Sequence, residues 1–274
     1  MTGVSAAVRR TRPLLLLLLL MVLATGSGCS KKPPKTDATE ISPAVTFERA
    51  SELLAQRDLR QATAALKKIA FDAETRTVLE PLTRLALADA TFYLGTDIGW
   101  IDARNLYLDF VTLNGDHPLA PYAQLQVGMC SLKQVSEPSR DQSLTLQAIR
   151  DLEAVGNRWP GSPYVVASRA MLREARAHLA ESEFLVGRFY FKRKNYVAAI
   201  ERLNGVVVRF PEYSEADKVL YQLAQAHLNA GNAAQARIQL DRLLSQHPNG
   251  EYVARAQKTL GSILGGLVSE VGTP

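Results

Sequence analysis

An alanine followed by apolar residues four and seven positions later recurs five times along the chain. The sets are Ala62/Leu66/Ile69, Ala103/Tyr107/Phe110, Ala148/Leu152/Val155, Ala199/Leu203/Val206 and Ala236/Leu240/Leu243. Positions i, i+4 and i+7 share one face of an α-helix, and the small alanine marks where another helix must approach closely. Three of the five sets carry a proline twelve residues after the alanine, at Pro160, Pro211 and Pro248. Proline lacks the amide hydrogen that continues a helix, so it closes the repeat.

A second helix precedes each of the last two sets. Gly187 and Tyr190 lie twelve and nine residues before Ala199, with Lys194-Asn195-Tyr196 as the turn. Ala224 and His227 hold the same offsets before Ala236, with Ala230-Gly231-Asn232 as the turn. A small residue, an aromatic ring, a turn, an alanine and a closing proline resemble the tetratricopeptide repeat. The resulting expectation is an all-α solenoid of about five such helical hairpins over residues 45–268, ended by a capping helix from Tyr252 to Leu267 and a tail at 269–274. The third repeat is longer, which places a loop at 135–141 between its helices. The apolar positions Ala167, Met171, Ala175, Leu179 and Leu185 predict a long or paired helix after Pro163. No strand-like alternation of useful length is present.

The N-terminus reads as an address. Arg9, Arg10 and Arg12 precede eleven apolar residues from Leu14 to Ala24, about half of the ~20 needed to cross a bilayer but suited to a signal-peptide core. Small residues then lead to Cys29. Residues 1–28 resemble a bacterial lipoprotein signal, with Cys29 as the lipidated first residue of the mature chain. Gly26 stands where an aliphatic residue is usual, and an ordinary secretory cleavage near Gly26 and Gly28 is the alternative. Residues 29–44, with Pro33, Pro34 and three lysines, read as a tether, about 45 Å long if fully extended. Ser30 after the cysteine implies, by the same resemblance, transfer to the outer membrane. Cys130 has no intramolecular disulfide partner once Cys29 is lipidated, and is read as a small buried hydrophobe.

The net charge of +5 belongs to this leader region: from Ala44 onward there are 26 basic and 25 acidic residues. A near-neutral body gives no ground for a nucleic-acid partner. No catalytic residue, metal site or cofactor is predicted. His117 and His247 each precede a proline, His178 and His227 fall on separate helices, and none has a ligand partner at metal spacing. The pairs Asp151/Glu153 and Glu181/Glu183 have i, i+2 spacing, which points them to different sides of a helix, as solvated surface groups.

Three segments are more specific than the repeat itself. They are Ser139-Arg140-Asp141-Gln142-Ser143, then Trp159-Pro160-Gly161-Ser162-Pro163-Tyr164, then Leu179 to Phe191 with its Glu-Phe-x-x-Gly-x-Phe-Tyr run. With the signal and the tether, they resemble the BamD (YfiO) family of outer-membrane β-barrel assembly lipoproteins. The resemblance implies a non-enzymatic scaffold, lipid-anchored at the periplasmic face of the outer membrane. It implies docking on the barrel-forming subunit, help in recognising and inserting unfolded outer-membrane proteins, and contact with accessory lipoproteins. Arg202 occupies the place of the family's arginine that meets the barrel-forming subunit. Phe47, Leu54, Phe92 and Tyr93, on the first helices of the first two hairpins, are the expected lining of a substrate groove, although packing of repeat on repeat explains each equally. If they line it, Phe92→Ala lowers affinity for a barrel C-terminal peptide at unchanged helicity. A generic periplasmic adaptor would need only the alanine–proline repeat; a periplasmic enzyme would need a convergent polar constellation that the sequence does not present.

Overall fold

The computed structural model describes residues 42–70 and 80–271, with side chains described as far as residue 264. The signal, Cys29 and all but the end of the tether lie outside the described residues. Within them the chain forms eleven α-helices and no strand. The helices are α1 (Pro43–Ala55), α2 (Leu59–Ala70), α3 (Glu80–Tyr93), α4 (Asp97–Leu113), α5 (Ala120–Lys133), α6 (Ser143–Arg158), α7 (Tyr164–Lys192), α8 (Tyr196–Arg209), α9 (Ala216–Asn229), α10 (Ala233–Gln246) and α11 (Val253–Val271). Each helix packs on the next, α5 also touches α7, and α7 also touches α9. This is the all-α solenoid of five hairpins and a cap. Its ends differ slightly from expectation: Pro43, pre-set for a first helical turn, starts α1 two residues early, and α11 runs to Val271 rather than stopping at 268.

The repeat accounts for the packing. All five marker alanines are fully buried, as are Leu66, Tyr107, Leu152, Leu203 and Leu240 four residues later. At the third position Phe110, Val155, Val206 and Leu243 are buried, while Ile69 is half-buried. The core lies in series along the solenoid, as clusters joining hairpins one and two, two and three, hairpin three with α7, and hairpins four and five with the cap.

The helix ends repeat as well. Trp159, Phe210 and His247 cap α6, α8 and α10 with ψ of 64°, 61° and 58°. Each of their amides donates to the carbonyl four residues back, on Val155, Val206 and Leu243. The following proline disfavours the helical conformation in the residue before it, so turn and stop come from one residue. Four of the hairpin turns share another device. Arg57, Gly95, Lys194 and Gly231 have φ between 59° and 77°. Each is followed by Asp58, Thr96, Asn195 or Asn232, whose side-chain oxygen accepts from the backbone N–H three residues on. These N-caps satisfy donors left open at the start of the second helix.

Helix α7 is one continuous 29-residue helix. Its first half packs on α6, where the Ser168 hydroxyl donates to the Leu152 carbonyl at 2.6 Å. Its second half forms the fourth hairpin with α8. The buried line runs through Val165, Ser168, Met171, Ala175, Ala180, Phe184 and Gly187, so Ala167, Leu179 and Leu185 sit beside it rather than on it.

Glycine is required at two places in the seams. A Cβ on Gly187 would lie 2.7 Å from Leu203 Cδ2 and 2.8 Å from its Cγ, and one on Gly128 would lie 2.6 Å from the same atoms of Leu152. Because both leucines are buried, Gly187→Ala should cost about 1–2 kcal/mol despite alanine's better helix propensity. Gly156, also within a helix, has nothing within 4 Å of such a Cβ. Gly156→Ala should therefore gain about 0.5–1 kcal/mol. Denaturant midpoints of the two variants moving in opposite directions would establish the seam contact; a loss in both would refute it.

Candidate functional site

The long third-repeat loop is held by its own residues. Asp141 accepts from the Ser143 amide at 3.0 Å and from its hydroxyl at 3.1 Å, and these bonds hold its carboxyl below the ordinary carboxylate range. The Gln142 amide donates to the carbonyls of Glu137 and Arg140, while its oxygen accepts from Thr145 and faces His178 Nδ1 at 3.1 Å. The Arg-Asp-Gln run thus ties the loop to the start of α6 and to α7. In the second specific segment, Trp159 Nε1 donates to the Gly115 carbonyl at 3.3 Å and Arg158 lies over its ring.

The third segment builds the surface that carries Arg202. Phe184 is buried with the Lys218 ammonium 4.5 Å from its ring centroid. Glu181 accepts from the Tyr213 hydroxyl and pairs with Lys218 at 3.0 Å. Glu183, largely covered, stands between two arginines of α8, 3.7 Å from Arg202 and 3.3 Å from Arg209. One Glu183 oxygen is buried without a hydrogen bond. Arg202 lies on the rim of the α7–α8 seam, its Cβ 3.5 Å from where a Gly187 Cβ would be, and 48% of its side chain is exposed. The long contact with Glu183 orients the guanidinium while most of its five donors stay open to an incoming acceptor. Arg209, seven residues further on and so on the same helical face, is the partner that the sequence reading missed; its i+7 spacing is the signal that would have found it.

Of the carboxylate pairs, Asp151, Glu181 and Glu183 are largely covered rather than solvated, while Glu153 stays at the surface in an exposed ion pair. Asp151 reaches back to Arg104 at 2.8 Å, Glu153 reaches forward to Arg176 at 2.7 Å, and Glu181 and Glu183 have the partners just described. The i, i+2 spacing does send each pair two ways, but the neighbouring helices receive them. Asp89 accepts from the hydroxyls of Tyr107 at 2.5 Å and Tyr122 at 2.8 Å. Burial, and then the Asp89 charge, push both phenols well above their ordinary range. Cys130 is fully buried, with its thiol pushed up to about 12 mainly by burial.

The expected groove residues take part in the seams between hairpins. Phe47 and Phe92 are core residues, 7% and 9% exposed. Phe47 and Leu54 belong to the cluster joining the first two hairpins, Phe92 and Tyr93 to the next one. Leu54 and Tyr93 are half-buried, and Tyr93 meets Phe92 edge to face at 5.3 Å. The aromatic side chains of the first-hairpin and second-hairpin helices are consumed by packing. Among the described residues no cluster of His, Cys, Asp and Glu could hold a metal ion, and no helix is long and apolar enough to cross a membrane.

Residues 39–220, more than half of the chain, match the family model of the YfiO outer membrane lipoprotein. The chain belongs to that family. Residues 190–260 also match the tetratricopeptide repeat. The outer membrane protein assembly factor BamD of Rickettsia prowazekii is 26% identical over 232 residues, which are 84% of this chain and 90% of that one. BamD of Caulobacter vibrioides is 31% identical over 128 residues, 47% of this chain and 42% of its own length. Among solved structures, the TPR2AB domain of yeast Sti1 in its pHSP90 complex aligns with a TM-score of 0.41 at 14% identity, over 82% of this chain and 84% of that one.

Proposed function

We propose that this protein is a scaffold of outer-membrane protein assembly, anchored through a lipid on Cys29 to the periplasmic face of the outer membrane. It docks on the barrel-forming subunit of the assembly machinery through the α7–α8 rim around Arg202, and so helps unfolded outer-membrane proteins to be recognised and inserted. The observation that carries this reading is the YfiO family match over 39–220, which includes the α7–α8 rim. The side chains there support a binding role. Arg202 is half-exposed, oriented by Glu183, and offers donors that no other described residue consumes. Its chemistry is recognition of a carboxylate, without a reaction.

The test is purification from detergent-solubilised native membranes. A partner combining periplasmic repeat domains with an outer-membrane barrel should remain bound to the wild type, and Arg202→Glu should weaken that complex about tenfold. Circular dichroism of the variant should match wild type, since exposed pairs contribute little to stability. Equal recovery by both proteins would remove Arg202 from the interface. Absence of such a partner from both would leave a generic periplasmic adaptor.

A further inference from the structure

The turn between α7 and α8 concentrates charge that the rest of the body lacks. Arg188, Lys192, Arg193 and Lys194 fall within seven residues, all exposed, and no acid occurs between Glu183 and Glu201. None of the four has an acidic partner among the described residues. Glu183 is engaged by Arg202 and Arg209, and Glu201 stands one helical turn beyond Val197. The body as a whole balances 26 cations against 25 anions from Ala44 onward, so four unpaired cations at one turn are a local feature. The corresponding turn of the fifth hairpin, Ala230-Gly231-Asn232, carries no charge at all.

Apolar side chains are exposed among these cations. Phe189 is 54% exposed with the Arg193 guanidinium 5.2 Å from its ring centroid, and Val197, at the start of α8, is 77% exposed. Lys194 sits at the apex in the left-handed conformation. The group therefore lies together at an exposed hairpin turn. An exposed turn suits a flat partner, whereas peptide and small-molecule sites are concave. Cations with long apolar stems, beside an aromatic ring and a branched aliphatic residue, match the interfacial zone of a bilayer. There the charges meet lipid phosphates while the rings and stems enter the headgroup layer.

We infer that the α7–α8 turn, through Arg188, Lys192, Arg193, Lys194, Phe189 and Val197, is a second membrane contact that binds anionic lipid headgroups of the membrane to which the protein is anchored. The inference rests on membrane attachment, which the family supplies, and is independent of the barrel-assembly role. The contact would hold the fourth hairpin against the bilayer.

The test uses the full lipidated protein reconstituted into neutral phosphatidylcholine vesicles and into vesicles with added phosphatidylglycerol. Amide hydrogen exchange is followed over residues 188–197, with 229–233 as the internal reference. Exchange at the α7–α8 turn should slow about tenfold on the anionic vesicles only, and the protection should vanish in high salt, which screens surface charge. The variant R188Q/K192Q/R193Q/K194Q should lose the protection at an unchanged melting temperature; Phe189→Ser should lose part of it with all four charges in place. Equal exchange on both vesicle types would overturn the inference. So would protection that appears only when the barrel-forming subunit is added, which would assign the turn to a protein partner.

Discussion

Arg104→Ala is expected to destabilise the protein by about 3 kcal/mol, although neither Arg104 nor its partners belong to the apolar repeat. Arg104 extends from α4 between α5 and α6. Its Nη2 donates to Asp151 Oδ2 at 2.8 Å and its Nε to the Ser131 hydroxyl at 3.1 Å, and that hydroxyl bonds to the same carboxylate at 3.2 Å. Only 18% of the arginine side chain and 15% of the aspartate are exposed. Alanine leaves Asp151 largely desolvated with one hydroxyl for company, and an uncompensated buried charge costs far more than the intact pair contributes. Arg104→Met combined with Asp151→Leu should regain most of the loss, because the charge that needed a partner is gone. Urea unfolding of the two single variants and the double should show the double losing much less than the singles together, a coupling energy above about 2 kcal/mol. If the double variant loses as much as the singles together, the network is not a unit.

The polar network also marks the limit of what the sequence discloses. Hairpin number, the marker alanines, the closing prolines and the glycine at 187 were legible because each obeys a local period or a backbone constraint. The closing proline was read as a stop, and the structure adds how the residue before it makes the stop. Asp151 was read as solvated, since its partner Arg104 is 47 residues away and no helical period joins them. Asp89 and its two tyrosine partners, on two other helices, are likewise joined by no helical period. Long-range pairing of this kind depends on how successive hairpins stack, and a pattern within one helix carries no trace of it. At the candidate docking rim, family resemblance is what singles out Arg202. Arg209 shares its helical face at i+7, but that Glu183 holds both arginines follows only from the approach of α8 to α7 at Gly187.

Phe92 yields the sharpest test of the expected groove. An aromatic side chain on the first helix of a hairpin is as well placed for a groove as for the seam with the next repeat, and the sequence does not separate the two. In the structure Phe92 packs with Leu85, Ala88, Ala103, Tyr107 and Phe110 in one cluster, against Tyr93 at its edge. Phe92→Ala removes a ring from among side chains that are themselves buried, and the cavity it leaves should cost about 3 kcal/mol. On that account the melting temperature falls, and any loss of peptide affinity follows the fraction folded, disappearing when the measurement is made well below the transition. Leu54 and Tyr93, half-exposed, should behave differently: a direct contact with a client would lower affinity at unchanged stability. Melting and binding to a barrel C-terminal peptide, measured on Phe92→Ala and Tyr93→Ala side by side, separate these accounts. A Phe92→Ala protein of wild-type stability that has lost the peptide would return this ring to the groove.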